Sequence, residues 1–397
     1  MMDYLISTLV AAFPSTPQLL LTLLSPLLTF LLTCSMIPRI TPYFLKARMF
    51  GLDLGKKGTS TESVQVPEAA GLVAGTVFLL FLLAVSASQP PSLPLISSLF
   101  SILFMMFLGF TDDVLDWPWR YKLVLPLLGC IPVCSCYSGS TSILLPSPVR
   151  HIVYASPLSS PLQALLEFVG VVLDPTSPHG LVDLNWLYFV YISLLSIFTT
   201  NAINIYAGIN GLEVGQVVIA TLFVILHSLI EISAGSLSTA NHVFSLALAL
   251  PFLGVLLALL RFNWYPARVF VGDTFCYFAG MTLSVLGIHG HYSKTLLLFL
   301  LPQLANFLYS IPQLAKIVPC PRHRLPKFNA KTGLMSPSEY APGKSNLTLI
   351  NLTLRICGPM REDTLCAVLM GVQALGCMLG MFVRYGGGAR IFFEEEK

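Results

Sequence analysis

Ten runs of mostly apolar residues, each 18 or more residues long and set apart by proline, glycine or charge, dominate this chain. They lie at about 16–37, 69–87, 93–111, 122–140, 183–200, 213–231, 242–260, 272–289, 295–316 and 362–383. A bilayer core of about 30 Å takes around 20 apolar residues in a helix, so each run has the length of one membrane span. The expectation is an all-α, polytopic integral membrane protein, with 1–397 forming a single membrane-embedded domain. Only 10% of residues are charged and mean hydropathy is +0.77, against roughly a quarter charged in soluble domains. No large soluble domain fits between the runs. The first run lacks a basic flank and a small-residue cleavage pattern, so it reads as a retained span.

Lys and Arg are distributed unevenly. The loops after runs one, three, five, seven and nine hold 17 of the 22, and basic residues collect on the cytoplasmic side. That orientation places both termini on the other side. It also predicts that the sequons at Asn346 and Asn351 go unused. The net charge of +3 is too dispersed to imply nucleic-acid binding. Nine cysteines sit mostly in or beside apolar runs, and Cys130, Cys134 and Cys136 lack the His and the spacing of a zinc site.

Polar residues at membrane depth are functional candidates, and here they gather at the cytoplasmic ends of the runs. The third loop opens with Asp112 and Asp113, followed by Asp116, Arg120 and Lys122. Adjacent helical positions diverge by about 100°, so the pair cannot face one ion, whereas Asp112 and Asp116 share a face. Either these acids do chemistry, with Lys122 available to a phosphate, or they are a solvated helix end. The fifth loop reads TNAINIYAGINGLEVG from Thr200. Its Asn201 and Asn204 offer hard oxygen donors suited to Mg²⁺, Gly208, Gly211 and Gly215 allow close approach of a ligand, and a simple turn is the plainer alternative. In the seventh loop Asp273 is a helix N-cap or a functional acid, and Phe270 a stacking ring or an interfacial anchor. The ninth loop fixes Arg322, His323 and Arg324 between prolines, where forked guanidinium groups match phosphate oxygens. The first loop adds GLDLGKK and Glu68. Together these are the parts of phosphoryl transfer between a soluble nucleotide and a lipid acceptor.

The stretches FLGFTDDVLD, TNAINIYAGINGLE, RVFVGDTFCYFAG and PCPRHRLP, in this order, resemble the polyprenyl-phosphate N-acetylhexosamine-1-phosphotransferase superfamily of glycosyltransferase 4 type, in its eukaryotic, dolichyl-phosphate-using branch. The resemblance runs from about residue 37 to 385. It implies transfer of GlcNAc-1-phosphate from UDP-GlcNAc to dolichyl phosphate at the endoplasmic reticulum membrane, with the site facing the cytosol. Asn204 and Asp273 then match the Mg²⁺ ligands. Lys122 and the stretch Ile197, Phe198, Thr199, Thr200, Asn201, Ala202, Ile203, Asn204 and Ile205 match the acceptor-phosphate contacts. Leu52, Asp53, Leu54, Glu68, Gly208, Asn210 and Phe270 fall where the family holds uridine. Arg322, His323 and Arg324 match the loop that grips the diphosphate and sugar, and Asp112 and Asp113 match an acidic pair that orients the acceptor or takes a proton. A homodimer is compatible with the resemblance. The rivals are a bacterial-type transferase using undecaprenyl phosphate, against which PRHR argues, and a secondary transporter, which would put its acids near the midplane of repeated halves.

Overall fold

The computed structural model describes residues 15–87, 92–145, 147–154, 159–173, 181–321 and 324–387, with residues 7, 10 and 11 besides. Nine of the ten apolar runs each become one helix, and the ninth in order becomes two. In chain order these are α1 (Thr16–Lys46), α2 (Gly71–Ser86), α3 (Leu93–Leu115) and α4 (Trp119–Ser135), then two short connecting helices, α5 (Ser147–Tyr154) and α6 (Ser159–Phe168). There follow α7 (Trp186–Ile205), α8 (Leu212–Ser233), α9 (Thr239–Asn263), α10 (Gly272–His289), α11 (Ser293–Phe299), α12 (Leu301–Leu314), α13 (Leu349–Cys357) and α14 (Glu362–Tyr385). Six of them, α1, α3, α7, α8, α9 and α14, are long and apolar enough to cross a membrane.

The ninth run, expected as one span, is instead a pair, α11 and α12, bent by 69°. Pro302 in the first turn of α12 brings no N–H to continue the helix. The carbonyl of Phe299, freed at the break, receives Gln373 Nε2 at 2.7 Å. Gln303 Nε2 in turn lies 2.7 Å from Gln373 Oε1 and 2.8 Å from Gln216 Oε1, tying α12 to α14 and α8. A bend at this depth survives because its loose backbone groups find partners inside the protein.

The expected all-α chain also carries small antiparallel sheets in its connections. β1 (Phe50–Leu52) pairs with β2 (Gln65–Pro67). β3 (Ser142–Leu144), β4 (Val172–Leu173) and β5 (Leu181–Asp183) form a three-stranded sheet with β5 in the middle. β6 (Lys327–Asn329) pairs with β7 (Leu334–Ser336), and β8 (Glu339–Ala341) with β9 (Lys344–Ser345). The connection between Thr141 and Val182 thus holds two short helices, α5 and α6, together with strands of the three-stranded sheet.

At the centre stands α10, whose side chains from Thr274 to His289 are all buried. A helix apolar on every side belongs inside a bundle, and α10 is wrapped by α2, α3, α7 and α9. Glycine sets the spacing: a Cβ on Gly280 would lie 2.5 Å from Thr200 Cα of α7. On α1 the outer face is the reverse of a soluble surface. Leu20, Leu23, Leu24, Leu27 and Leu31 are each 52–55% exposed, a stripe that lipid tails match and water would not. On its inner face the Thr29 hydroxyl lies 3.0 Å from the Pro251 carbonyl of α9.

Candidate active site

The start of α10 is where separate loops meet. Gly272 takes a positive φ of 73°, and a Cβ there would strike the Asp113 carboxylate. Asp113, at the end of α3, accepts from Asp273 N at 2.6 Å, Thr274 N at 3.0 Å and the Thr274 hydroxyl at 2.5 Å. Asp273, weighed above as an N-cap, is therefore not the cap. A carboxylate from another helix satisfies the orphan donors of the first turn and leaves the Asp273 side chain free to face outward.

That side chain is the hub. Its Oδ1 receives Asn204 Nδ2 at 2.6 Å and its Oδ2 receives Lys122 Nζ at 3.0 Å. Lys122 also pairs with Asp112 Oδ2 at 2.9 Å, so one ammonium bridges two carboxylates. Asp112 Oδ1 accepts from Trp117 N at 3.1 Å, and the Tyr277 hydroxyl lies 3.4 Å from Oδ2. The neighbours Asp112 and Asp113 do diverge, one toward Lys122 and the other toward α10. Asp112 is buried, whereas Asp116, the left-handed cap that ends α3 at φ 47°, is exposed.

Beside this hub opens a cavity of about 310 Å³. Leu52, Asp53, Leu54, Glu68, Asn204, Gly208, Asn210, Phe270 and Asp273 all line it. The β1–β2 hairpin is docked there by backbone pairing: Phe270 N donates to the Pro67 carbonyl at 2.8 Å, and Ala70 N to the Phe270 carbonyl at 3.1 Å. Asn210 Nδ2 donates to Asp53 Oδ2 at 3.0 Å, and Lys56 pairs with the same carboxylate at 3.1 Å. Burial, and then the charge of Asp273, raise the Glu68 carboxyl above its ordinary value.

Some expected residues stand elsewhere. Arg322 and His323 lie outside the described residues. Arg324 is not a lining residue, although Leu325 and Pro326 after it are; its Nη1 is buried without a partner among the described residues. Along Ile197–Ile205, Thr199, Thr200, Ala202 and Ile203 are buried, while Ile197, Phe198, Asn201, Asn204 and Ile205 are half-buried. Three supports went unseen in the sequence. Glu213 Oε1 accepts from Gly208 N at 3.0 Å, Glu362 Oε1 from Asn210 N at 2.7 Å, and Asn263 Oδ1 from Gly211 N at 3.1 Å. Nothing in their local spacing marks them, since each acts on a backbone distant in sequence or hidden in a turn.

Among the described residues no three His, Cys, Asp or Glu side chains are placed to hold a metal ion. Asn204 and Asp273 give one amide and one carboxylate, and the Asp273 side chain is 26% exposed. That suits Mg²⁺, which binds through one or two carboxylates with phosphates and waters completing its octahedron.

An apolar helical bundle with carboxylates, an amide and an ammonium gathered at helix ends beside an open cavity has the arrangement of a membrane protein with a polar binding site at one end of its helices. The glycosyl transferase family 4 profile matches residues 95–291. Three curated proteins are similar over nearly the whole chain, each called UDP-N-acetylglucosamine–dolichyl-phosphate N-acetylglucosaminephosphotransferase. That of Dictyostelium discoideum is 43% identical over 376 residues, covering 89% of this chain and 86% of its own. Those of Saccharomyces cerevisiae and Schizosaccharomyces pombe are 38% and 35% identical, with coverages of 92% and 91%, and 93% and 92%. The chain belongs to this family of N-acetylglucosaminephosphotransferases.

Proposed function

We propose that this chain transfers GlcNAc-1-phosphate from UDP-GlcNAc to dolichyl phosphate, giving GlcNAc-diphosphate-dolichol and UMP, the first step of lipid-linked oligosaccharide assembly for N-glycosylation. It acts in the endoplasmic reticulum membrane with the cavity facing the cytosol. One observation carries the reading: residues from loops far apart in sequence, Asn204 and Asp273 among them, line a single cavity, and Asp273 ties that lining to Lys122 beside it. Relatives of that name, at 35–43% identity over most of the chain, support it.

In this reading the nucleoside lies in the cavity beside the Phe270 ring, which packs against Gly51 of the β1–β2 hairpin and offers its free side to stack on uracil. Asp53, Glu68 and Asn210 accept from or donate to its hydroxyl and ring groups. The diphosphate extends toward Asn204 and Asp273, which would hold Mg²⁺; when bound it would supply positive charge to offset that on the phosphoryl oxygens. Dolichyl phosphate enters along the half-buried face of α7, past Ile197, Phe198, Asn201 and Ile205, and its phosphate meets Lys122. An acceptor oxygen attacks the β-phosphorus in line, the bond to the α-phosphate oxygen breaks, and UMP leaves. The acceptor is already ionised, so no general base is needed. Asp112 and Asp113 then serve as positioning residues, Asp112 for Lys122 and Asp113 for Asp273.

The test is UMP release by purified protein given UDP-GlcNAc and dolichyl phosphate, with Mg²⁺ or with a chelator. Release that requires both lipid and Mg²⁺, and that Asp273→Ala abolishes without changing the thermal unfolding midpoint, is the expected outcome. UMP release without the lipid, or a fully active Asp273→Ala protein, would sink the reading.

A further inference from the structure

We propose that the end of the bundle opposite the active site carries a second binding site, one for a phosphate group. The residues that follow the end of α10 line a separate cavity of about 210 Å³. With 18 residues in α10 and 1.5 Å of rise for each, the two cavities stand roughly 27 Å apart along its axis. That is close to a bilayer core, which places this cavity at the other membrane boundary.

The walls are built from distant parts of the chain. Tyr137 follows α4, Ser142 is on β3, Tyr188 on α7, Ser293 and Lys294 head α11, and Arg384 closes α14. The lining holds hydroxyl groups and two full cations, and no carboxylate lines it among the described residues. Arg384 has a counter-ion behind the wall, Glu231 Oε1 at 3.2 Å, which the Tyr385 hydroxyl also reaches at 2.8 Å. Lys294 has none: among the described residues its ammonium makes no hydrogen bond or ion pair, and Arg384, which lines the same cavity, is near enough for their charges to repel. Asp183 on β5 pairs in register with Ser142, yet its carboxylate is engaged by the Thr141 hydroxyl at 2.5 Å and Asn185 N at 3.0 Å.

A lysine that merely anchors a helix at the headgroup level needs only open water for its ammonium. Here the ammonium shares a partly enclosed cavity with a second cation and several hydroxyl groups, and one positive charge is left uncompensated. A phosphate supplies the missing negative charge and enough oxygens for the hydroxyl donors as well. Two sources offer that chemistry, a phospholipid headgroup of the adjacent leaflet and a soluble phosphate ester.

The experiment measures the thermal unfolding midpoint of the full-length protein against two titrants, inorganic phosphate in detergent and phosphatidic acid doped into phosphatidylcholine nanodiscs. Wild type, Lys294→Gln, Lys294→Arg and Ser142→Ala are compared. Because the active site also takes phosphates, the readout is the part of the shift that depends on residues 294 and 142. The expected result is a saturable rise in wild type, an apparent affinity about tenfold weaker in Lys294→Gln, as loss of one charge-assisted hydrogen bond implies, and recovery in Lys294→Arg. Ser142→Ala weakens it from a different element without touching a charge, and covers the case that Lys294→Gln does not fold. Whichever titrant responds names the source. Equal affinity of wild type and these variants for both titrants, or no rise with either, overturns the site. This inference is independent of the transfer reaction, because Lys294 and Ser142 take no part in it.

Discussion

Asp113 has the look of a catalytic acid in the sequence and the geometry of a scaffold in the fold. Three donors from the first turn of α10 converge on its carboxylate, and removing an acceptor from half-buried donors costs about 1–3 kcal/mol for each one stranded. Asp113→Ala should therefore lower unfolding stability by about 2 kcal/mol or more, seen as a reduced thermal midpoint. Transfer should fall about 100-fold, since a displaced Asp273 misplaces what it holds by an ångström or so. An Asp113→Ala protein with full stability and no activity would instead restore the acid to direct chemistry. At this scale the sequence was informative about residue type and poor about role. DD at a helix end marks a place where charge is needed, but whether a carboxylate meets substrate, ammonium or backbone depends on which helix lies opposite. Glu362 makes the point from the other side. It opens the tenth apolar run like any first-turn acid, and only the fold brings its Oε1 to Asn210 N.

The elements were legible because apolar period and length decide helices in a membrane, and less so where the helices stop being uniform. The break between α11 and α12 depends on Gln373, some 70 residues away, accepting the task of satisfying Phe299. The small sheets were invisible for a similar reason: strands of two or three residues carry too little pattern to register. What holds the site in place at this scale is the close seam between α7 and α10. Asn204 is on α7 and Asp273 on α10, so the 2.6 Å contact between them depends on the distance between the helix axes. Gly280 sets that distance, its missing Cβ lying 2.5 Å from Thr200 Cα. Gly280→Ala should force the helices apart, costing about 1–3 kcal/mol as overpacking does, with a fall in the rate of transfer at saturating substrates. Gly371, which has open space around it, is the control: Gly371→Ala on α14 should leave both quantities unchanged.

For the whole molecule, the cavity constrains the path of the chain through the bilayer. Asp53, Asn204, Asn210, Asn263, Asp273 and Leu325 line one cavity, so the chain must cross an even number of times between successive members of this set that are separated by helices. Between Asp53 and Asn204 lie α2, α3, α4 and α7; between Asn210 and Asn263 lie α8 and α9. Between Asp273 and Leu325, α10 leads away, and only the bent pair α11–α12 can bring the chain back. If the pair acts as one crossing, the ten-span path expected from the tally of Lys and Arg is kept; by length and composition six helices qualify as spans, or seven with the bent pair. Burial gives a second reason why the sequons would go unused: Asn346 is 2% exposed and hydrogen-bonded to Ser338, and Asn351 is fully buried against Arg324. A sharper check uses thiols in sealed microsomes that expose their cytosolic face. The exposed Cys320 and Cys357 should react with a membrane-impermeant maleimide at once. A cysteine introduced by Leu237→Cys, in the fully exposed turn between α8 and α9, should react only after the membrane is permeabilised. Were Cys320 and Leu237→Cys to label from the same side, α11–α12 would be a re-entrant hairpin, and the convergence of Leu325 with Phe270 in one cavity would have to be abandoned along with the ten-span path.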